Sequence, residues 1–215
     1  GGRRRRRGLA GGLDGDAAAS RLGRHRRADL VVVGAVGHSV FERMLGSISD
    51  FVAMHAHCSV LVVRPTGLGK RNRPIDVCIA YDESDASAAA MDQLSQFGWG
   101  AKTKLEVVSV ITIPFVYSDI PLEFDFAKAQ AAKRTLLDHA AKKLTSLSPN
   151  VETHVIESNH IGDGLVQFAK RVGSDLIVMG NTGKGLIERF LLGSVSRHVL
   201  RHATCSVWIA RQKKA

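Results

Sequence analysis

The chain has 215 residues, 45% of them hydrophobic and 23% charged, which is the balance of a globular protein of one domain and a fragment, or of two small domains. No run approaches the roughly 18 apolar residues that a membrane helix needs, and three cysteines (Cys58, Cys78, Cys205) cannot build a disulfide framework, so a reducing, cytoplasmic setting is expected. The net charge of +10 sits mostly at one end: residues 1–27 hold nine arginines and two acids, a balance of +7 that leaves +3 for the other 188 residues.

Residues 1–14, rich in arginine and glycine, read as a solvated tail without packed structure. An arginine run can hold nucleic acid by releasing counterions, but residues 1–27 contain no aromatic residue on which a base could stack, so a nucleic-acid partner is not expected. The apolar segment after Arg7 is too short and too glycine-rich for a secretory signal. Residues 16–27 resemble part of a helix, and Asp29 to Gly34 form an apolar strand. A helix opening at Gly46-Ser47 and a strand over Val60 to Val63 complete a segment that ends at residue 64. Residues 65–74 form a linker.

A longer alternation follows. Strands are expected at Ile75–Tyr81, Leu105–Ile111, Val151–Glu157, Asp175–Met179 and Cys205–Ala210. Helices are expected at Ser84–Phe97, Pro121–Leu147, Asp163–Val172 and Ser194–His202. In the long helix Leu136, Leu137, Ala140, Ala141 and Leu144 form one stripe. Five strands separated by helices argue a parallel sheet covered on both faces, whose ligands sit beyond the strands' carboxyl ends.

The chain also repeats itself. Asp29-Leu-Val-Val-Val-Gly34 returns as Asp175-Leu-Ile-Val-Met-Gly180, an offset of 146. Gly46-Ser-Ile-Ser49 returns as Gly193-Ser-Val-Ser196, and His55-Ala-His-Cys-Ser-Val60 as His202-Ala-Thr-Cys-Ser-Val207, both offset by 147. Such a period means duplication of a domain, not a solenoid. Counting back 147 residues from Ile75 runs off the chain, so residues 15–64 match only the second half of the unit that residues 75–211 complete.

The chemistry concentrates after the fourth strand of the complete unit. Gly180-Asn-Thr-Gly183, nine residues, then Gly193-Ser194 would bring bare backbone, an arching segment and the amides of a helix start against one ligand. Free N–H groups at the positive end of a helix dipole make an anion site, and with glycines beside them a polyphosphate cradle.

This Gly180-x2-Gly183-x9-Gly193-Ser194 pattern resembles the nucleotide-binding signature of the universal stress protein family. The flanking Asp175 to Gly180 and His202 to Arg211, and Ala80-Tyr-Asp-Glu-Ser84 at the end of the first strand, are similar to that family as well. The resemblance implies a Rossmann-like α/β sandwich with a five-stranded parallel sheet of order 3-2-1-4-5, preceded by a half unit of the same fold. It implies ATP, alone or with Mg, as the ligand of a stress-response regulator that hydrolyses it slowly if at all. Carried over residue by residue, Asp82 would hold the ribose or adenine side and Val110 would pack near adenine. Gly180 and Gly183 would touch ribose and phosphate, and Gly193, Ser194 and the N–H of Val195 the distal phosphates. Members of the family pair through their last strand, so Val60–Val63 and Val207–Ala210 are expected to pair within or between chains, with a homo-oligomer as the outcome.

Bland readings compete with these. Asp82 and Ser84 are both good helix caps, and the glycine loop of a nucleotide-free interaction module could be purely structural. Lys184 and Arg189 on the loop are expected to be solvated. In the half unit, Gly34-x2-Gly37 is followed by only eight residues before Gly46 and no Asp-x-Ser strand precedes it, so no nucleotide is expected there. His198, His202 and Cys205 suggest a metal, but Phe51 stands where His198 would repeat; they read as structural, and no metal is expected. An adenylate-forming or transferase enzyme would need a glycine-rich loop after the first strand, which Tyr81-Asp82-Glu83-Ser84 lacks.

Overall fold

Runs of valine, isoleucine and leucine closed by glycine or polar residues form strands, and the amphipathic stretches between them form helices. The computed structural model describes residues 28–35, 45–65, 73–112, 125–183 and 192–212. Along these the elements run β1 (Leu30–Gly34), α1 (Ser47–His55), β2 (Ser59–Val63), β3 (Asp76–Ala80), α2 (Asp85–Leu94), β4 (Lys104–Ile111) and α3 (Phe126–Leu144). They continue with β5 (Val151–Glu157), α4 (Ile161–Val172), β6 (Leu176–Gly180), α5 (Ser194–His202) and β7 (Ser206–Ala210). Among the described residues no helix is long and apolar enough to cross a membrane.

Helix ends differ from expectation for local reasons. The Ser84 hydroxyl caps α2 by accepting from Ser87 N–H at 3.1 Å, and Trp99 Nε1 donates to the Leu94 carbonyl at 2.7 Å, closing the helix before Phe97. α4 starts two residues before the expected Asp163, because His160 acts as its N-cap, and ends on Gly173 at φ 73°. Asp125 caps α3, accepting from Lys128 N–H at 2.9 Å. The expected first turn of that helix at 121–124 and the expected helical segment at 16–27 lie outside the described residues.

One sheet of seven strands holds the order β1-β2-β7-β6-β3-β4-β5. All neighbours are parallel except β2 and β7. The sheet thus extends beyond the five strands expected for the complete unit, because β2 docks antiparallel on β7, with Leu61 opposite Trp208. The last-strand pairing, expected within the chain or between chains, is made within this one. That edge of β7 is therefore occupied by β2.

Around the β2–β7 junction the contacts come in matched pairs. Arg64 and Arg211 are both buried. Arg64 donates to the Leu200 carbonyl at 3.0 Å, and Arg211 donates to the Ala53 carbonyl at 2.6 Å. Arg64 N–H donates to Ser206 Oγ at 3.1 Å, and Arg211 N–H to Ser59 Oγ at 3.0 Å. Each partner is displaced by the repeat offset of 147, so the two halves meet as a pseudo-twofold pair.

Two apolar layers flank the sheet. On one face Val52, Leu165, Phe168, Val199 and Leu200 of α1, α4 and α5 pack on Cys78, Val108, Ile177 and Val207. On the other Met91, Leu94, Leu137 and Leu144 of α2 and α3 pack on Ile79, Leu105, Val178 and Trp208. This is a helix–sheet–helix sandwich.

Candidate functional site

From β3 the chain winds to β4 and β5 on one side, and then returns to β6 and β7 on the other. Connections leaving two adjacent parallel strands in opposite directions open a crevice at their carboxyl ends. A cavity of about 360 Å³ lies there, within the size range of small-molecule sites. The structure brings Asp82, Val110, Gly180, Gly183, Gly193, Ser194 and Val195 together on its wall.

Asp82 is held by the turn that follows β3. Its Oδ1 accepts from Ser84 N–H at 3.0 Å and from the Ser84 hydroxyl at 2.6 Å. Ser84, not Asp82, is the cap of α2. Between them Glu83 takes φ of 66°, a left-handed conformation that costs a non-glycine residue about 1 kcal/mol. The turn stores that strain while fixing one carboxylate oxygen and turning the other toward Gly183. A Cβ on Gly183 would lie 3.1 Å from Asp82 Oδ2, so a side chain there would crowd the wall that both residues form.

Gly180 lines the cavity, and its missing side chain serves packing as well. A Cβ at this position would lie 2.6 Å from the backbone carbon of Ala86, so α2 already takes the space. Among the described residues the glycines at positive φ are Gly100 and Gly173; neither Gly180 nor Gly183 needs its conformational freedom. Gly193 also departs from expectation. Its N–H is bonded to the Asn181 carbonyl at 2.7 Å, so it cannot serve as a free donor.

The amides left without a helical acceptor begin one position later. Gly193 is the N-cap of α5 and provides no side-chain cap. The amides of Ser194, Val195 and Ser196 are the first-turn donors for which an α-helix has no internal acceptor. All three residues border the cavity, at the positive end of the helix dipole. Ser196 Oγ donates to the Gly180 and Asn181 carbonyls at 2.9 and 3.2 Å, tying this turn to the end of β6.

Sequence reasoning missed several wall residues. Lys133 of α3 borders the cavity, 61 residues before Ser194 in the chain and legible only as one lysine off an apolar stripe. Ser109 borders it too, and its buried hydroxyl has no hydrogen-bond partner among the described residues. The arch over 184–191, with Lys184 and Arg189, and Gly37 of the half unit lie outside the described residues. His202 Nδ1 donates to the His198 carbonyl at 2.8 Å, and the two rings stack. Cys205 is buried at the foot of β7.

A family model described as the universal stress protein family matches residues 12–64 and again 76–211. A universal stress protein of Methanocaldococcus jannaschii is 29% identical over 143 residues, covering 64% of this chain and 82% of its own. One from Mycobacterium tuberculosis is 27% identical over 202 residues, covering 86% of this chain and 62% of its own. The chain thus spans less than two thirds of the length of that mycobacterial relative. Among solved structures, a universal stress protein from Archaeoglobus fulgidus superposes with a TM-score of 0.58 at 19% identity, over 89% of this chain and 65% of its own. A universal stress protein solved in complex with cAMP superposes at 0.51 with 25% identity, over 66% of this chain and all of its own.

Proposed function

The chain belongs to the universal stress protein family, and on that premise we propose that it binds an adenine nucleotide, ATP foremost, in the cavity at the carboxyl ends of β3 and β6. The observation that carries the reading is the first turn of α5. Three residues whose amides have no helical acceptor border the same cavity as Asp82 and the side-chain-free Gly183.

In this reading the phosphates lie on the amides of Ser194, Val195 and Ser196 and beside the Ser194 hydroxyl, with Lys133 adding positive charge to the wall. Gly193 shapes the turn without donating. Asp82 presents Oδ2 to the ribose hydroxyls, since Oδ1 is committed to Ser84. Val110 forms the apolar side against adenine, and Gly180 keeps α2 close enough to close the floor. A Mg ion accompanying ATP would sit with the phosphates. Asp82 is the carboxylate among the described wall residues, and its commitment to Ser84 makes it a poor general base. The reading is of a nucleotide-binding regulator, not an efficient hydrolase.

A nucleotide-free interaction module is the second reading, favoured by the packing role of Gly180 and the internal bond of Gly193 N–H. Calorimetric titration with ATP separates the two. The full chain is expected to release heat and gain thermal stability at millimolar ATP, and Gly183→Val to lose both while remaining folded. No heat from the wild type would establish the module. cAMP belongs in the same titration, since a structural neighbour was solved with it.

A further inference from the structure

Outside the cavity, the start of α4 and the middle of α5 build a second polar cluster. A Cβ on Gly162 would lie 2.8 Å from His198 Cδ2, so the absent side chain lets the His198 ring settle on the first turn of α4. There His198 Nε2 lies 2.7 Å from Asp163 Oδ1. His160 Nδ1 lies 3.7 Å from Asp163 Oδ2, and the His160 and His198 ring centroids are 4.6 Å apart. One donor atom from each of the three residues falls within 4.8 Å of the others. His160 Nδ1 accepts from Asp163 N–H at 3.3 Å, which places the ring's lone pair, not its proton, toward Asp163.

Packing alone does not require these residue types. In the first half of the chain the corresponding positions are Leu13, Asp16 and Phe51, so both imidazoles are particular to the second unit. Phe51 stacks on His55 with centroids 4.2 Å apart, and His198 stacks on His202 at 4.1 Å, so any aromatic ring meets the structural need. Two neutral imidazoles and a carboxylate suit a zinc-class ion and not calcium or magnesium, which prefer all-oxygen shells. Tetrahedral bonds of about 2.0–2.1 Å put neighbouring donors about 3.3 Å apart. Asp163 offers Oδ1 at 2.7 Å from His198 Nε2 and Oδ2 at 3.7 Å from His160 Nδ1, so small side-chain rotations bring one oxygen and both nitrogens to that spacing.

We propose that His160, Asp163 and His198 form a binding site for a divalent transition-metal ion of the zinc class, with solvent completing the tetrahedron. On binding, His198 takes the tautomer with its proton on Nδ1, so that Nε2 turns a lone pair to the metal in place of the contact with Asp163, and His160 Nδ1 exchanges a long N–H contact for the metal. The ion ties α4 to α5, and the starts of both helices, at Ile161 and Ser194, border the cavity. The site does not depend on a nucleotide being bound there.

The test is Co(II) titration of the full chain after chelation and desalting. Visible d–d bands of a tetrahedral ion are expected, saturating at one equivalent and bleached by zinc. His160→Ala and His198→Phe should each weaken binding more than about 100-fold. His198→Phe copies the ring found at Phe51 and keeps the stack, and His160 is half exposed, so neither variant should unfold. His154→Gln, which disturbs the Glu106–Glu152–His154 group, should leave the bands unchanged. Zinc should also raise the melting temperature of the wild type and not of His198→Phe. Absence of Co(II) uptake, or bands that persist in both site variants, would overturn the proposal.

Discussion

The β1–α1–β2 segment and the β6–α5–β7 segment are two copies of one element placed in different surroundings. Internally they agree closely. Leu30 pairs with Ser59 as Leu176 pairs with Ser206. The helices open on Gly46 and Gly193 at φ/ψ of −69/152° and −62/160°, and close on Ala56 and Ala203 at −63/141° and −63/140°. Ser49 donates to Gly34 O as Ser196 donates to Gly180 O. Externally they differ. β6 has β3 on its outer side and α2 against Gly180, whereas Val32, Ile48, Phe51 and Val63 of the first copy remain exposed. The element's shape is thus encoded within about 35 residues and does not depend on a neighbour. The candidate site does depend on one, because Asp82, Val110 and Lys133 come from β3, β4 and α3.

The strongest way to break the comparison is at the junction where the copies are reciprocal. Arg211→Ala removes a buried guanidinium bonded to the Ala53 and Cys58 carbonyls, at 2.6 and 3.3 Å. A loss of about 3 kcal/mol is expected from the urea midpoint, because hydrogen bonds to a charged group contribute about 1.5–3 kcal/mol and a buried carbonyl is left unmet. Arg64→Ala should cost about half as much, since Arg64 makes one such side-chain bond, to Leu200 O. Equal losses would mean that the two arginines act through burial alone.

A second substitution pair sharpens the difference in surroundings. Gly180→Ala drives a methyl into the Ala86 backbone, and overpacking of a strand end against a helix costs about 1–3 kcal/mol. Gly34→Ala, at the equivalent but exposed position, should change stability by less than about 0.5 kcal/mol. If both are neutral, α2 yields and Gly180 is free for the close approach to ligand first expected of it.

Most strands and helices, and the two family-like regions, were legible because they rest on periodicity and on a repeat visible in residue identities. Asp82 and Gly183 were legible through their spacing in a familiar pattern, and the structure sets them side by side. What escaped needs the third dimension. Nothing local to Gly180 says that Ala86, 94 residues earlier, fills the space beside it. Nothing local to Gly193 says that Asn181 O takes its amide. The apolar runs of β2 and β7 predicted that they would pair but not whether within one chain, because an edge strand's pattern is blind to its partner's origin. His160 and His198 are 38 residues apart and meet only because Gly162 lacks a side chain.

The smallest expected effect separates the repeated cysteines. Cys205, buried below β7, has its thiol pushed up to about 11, chiefly by burial. Cys58 is half-buried, and burial raises its thiol too, but the Arg211 charge beside it pulls the other way. Cys78 lies between them in the chain, fully buried, with its thiol raised further still, again mainly by burial. A thiol with a raised folded pKa favours the neutral form, so its contribution is complete below the unfolded value and is lost as pH climbs toward the folded one. Stability should therefore fall from about pH 9 toward pH 11, and Cys205→Ala should flatten that slope by on the order of 1 kcal/mol. Cys58→Ala should flatten it less. Thiol labelling at pH 8 ought to reach Cys58 before Cys205, since the thiolate is the reactive form and the buried thiol also lacks access. Should Cys205 react as fast as Cys58, the second copy opens at its core as readily as the first, and the sheet neighbours that distinguish the two copies would add no local stability.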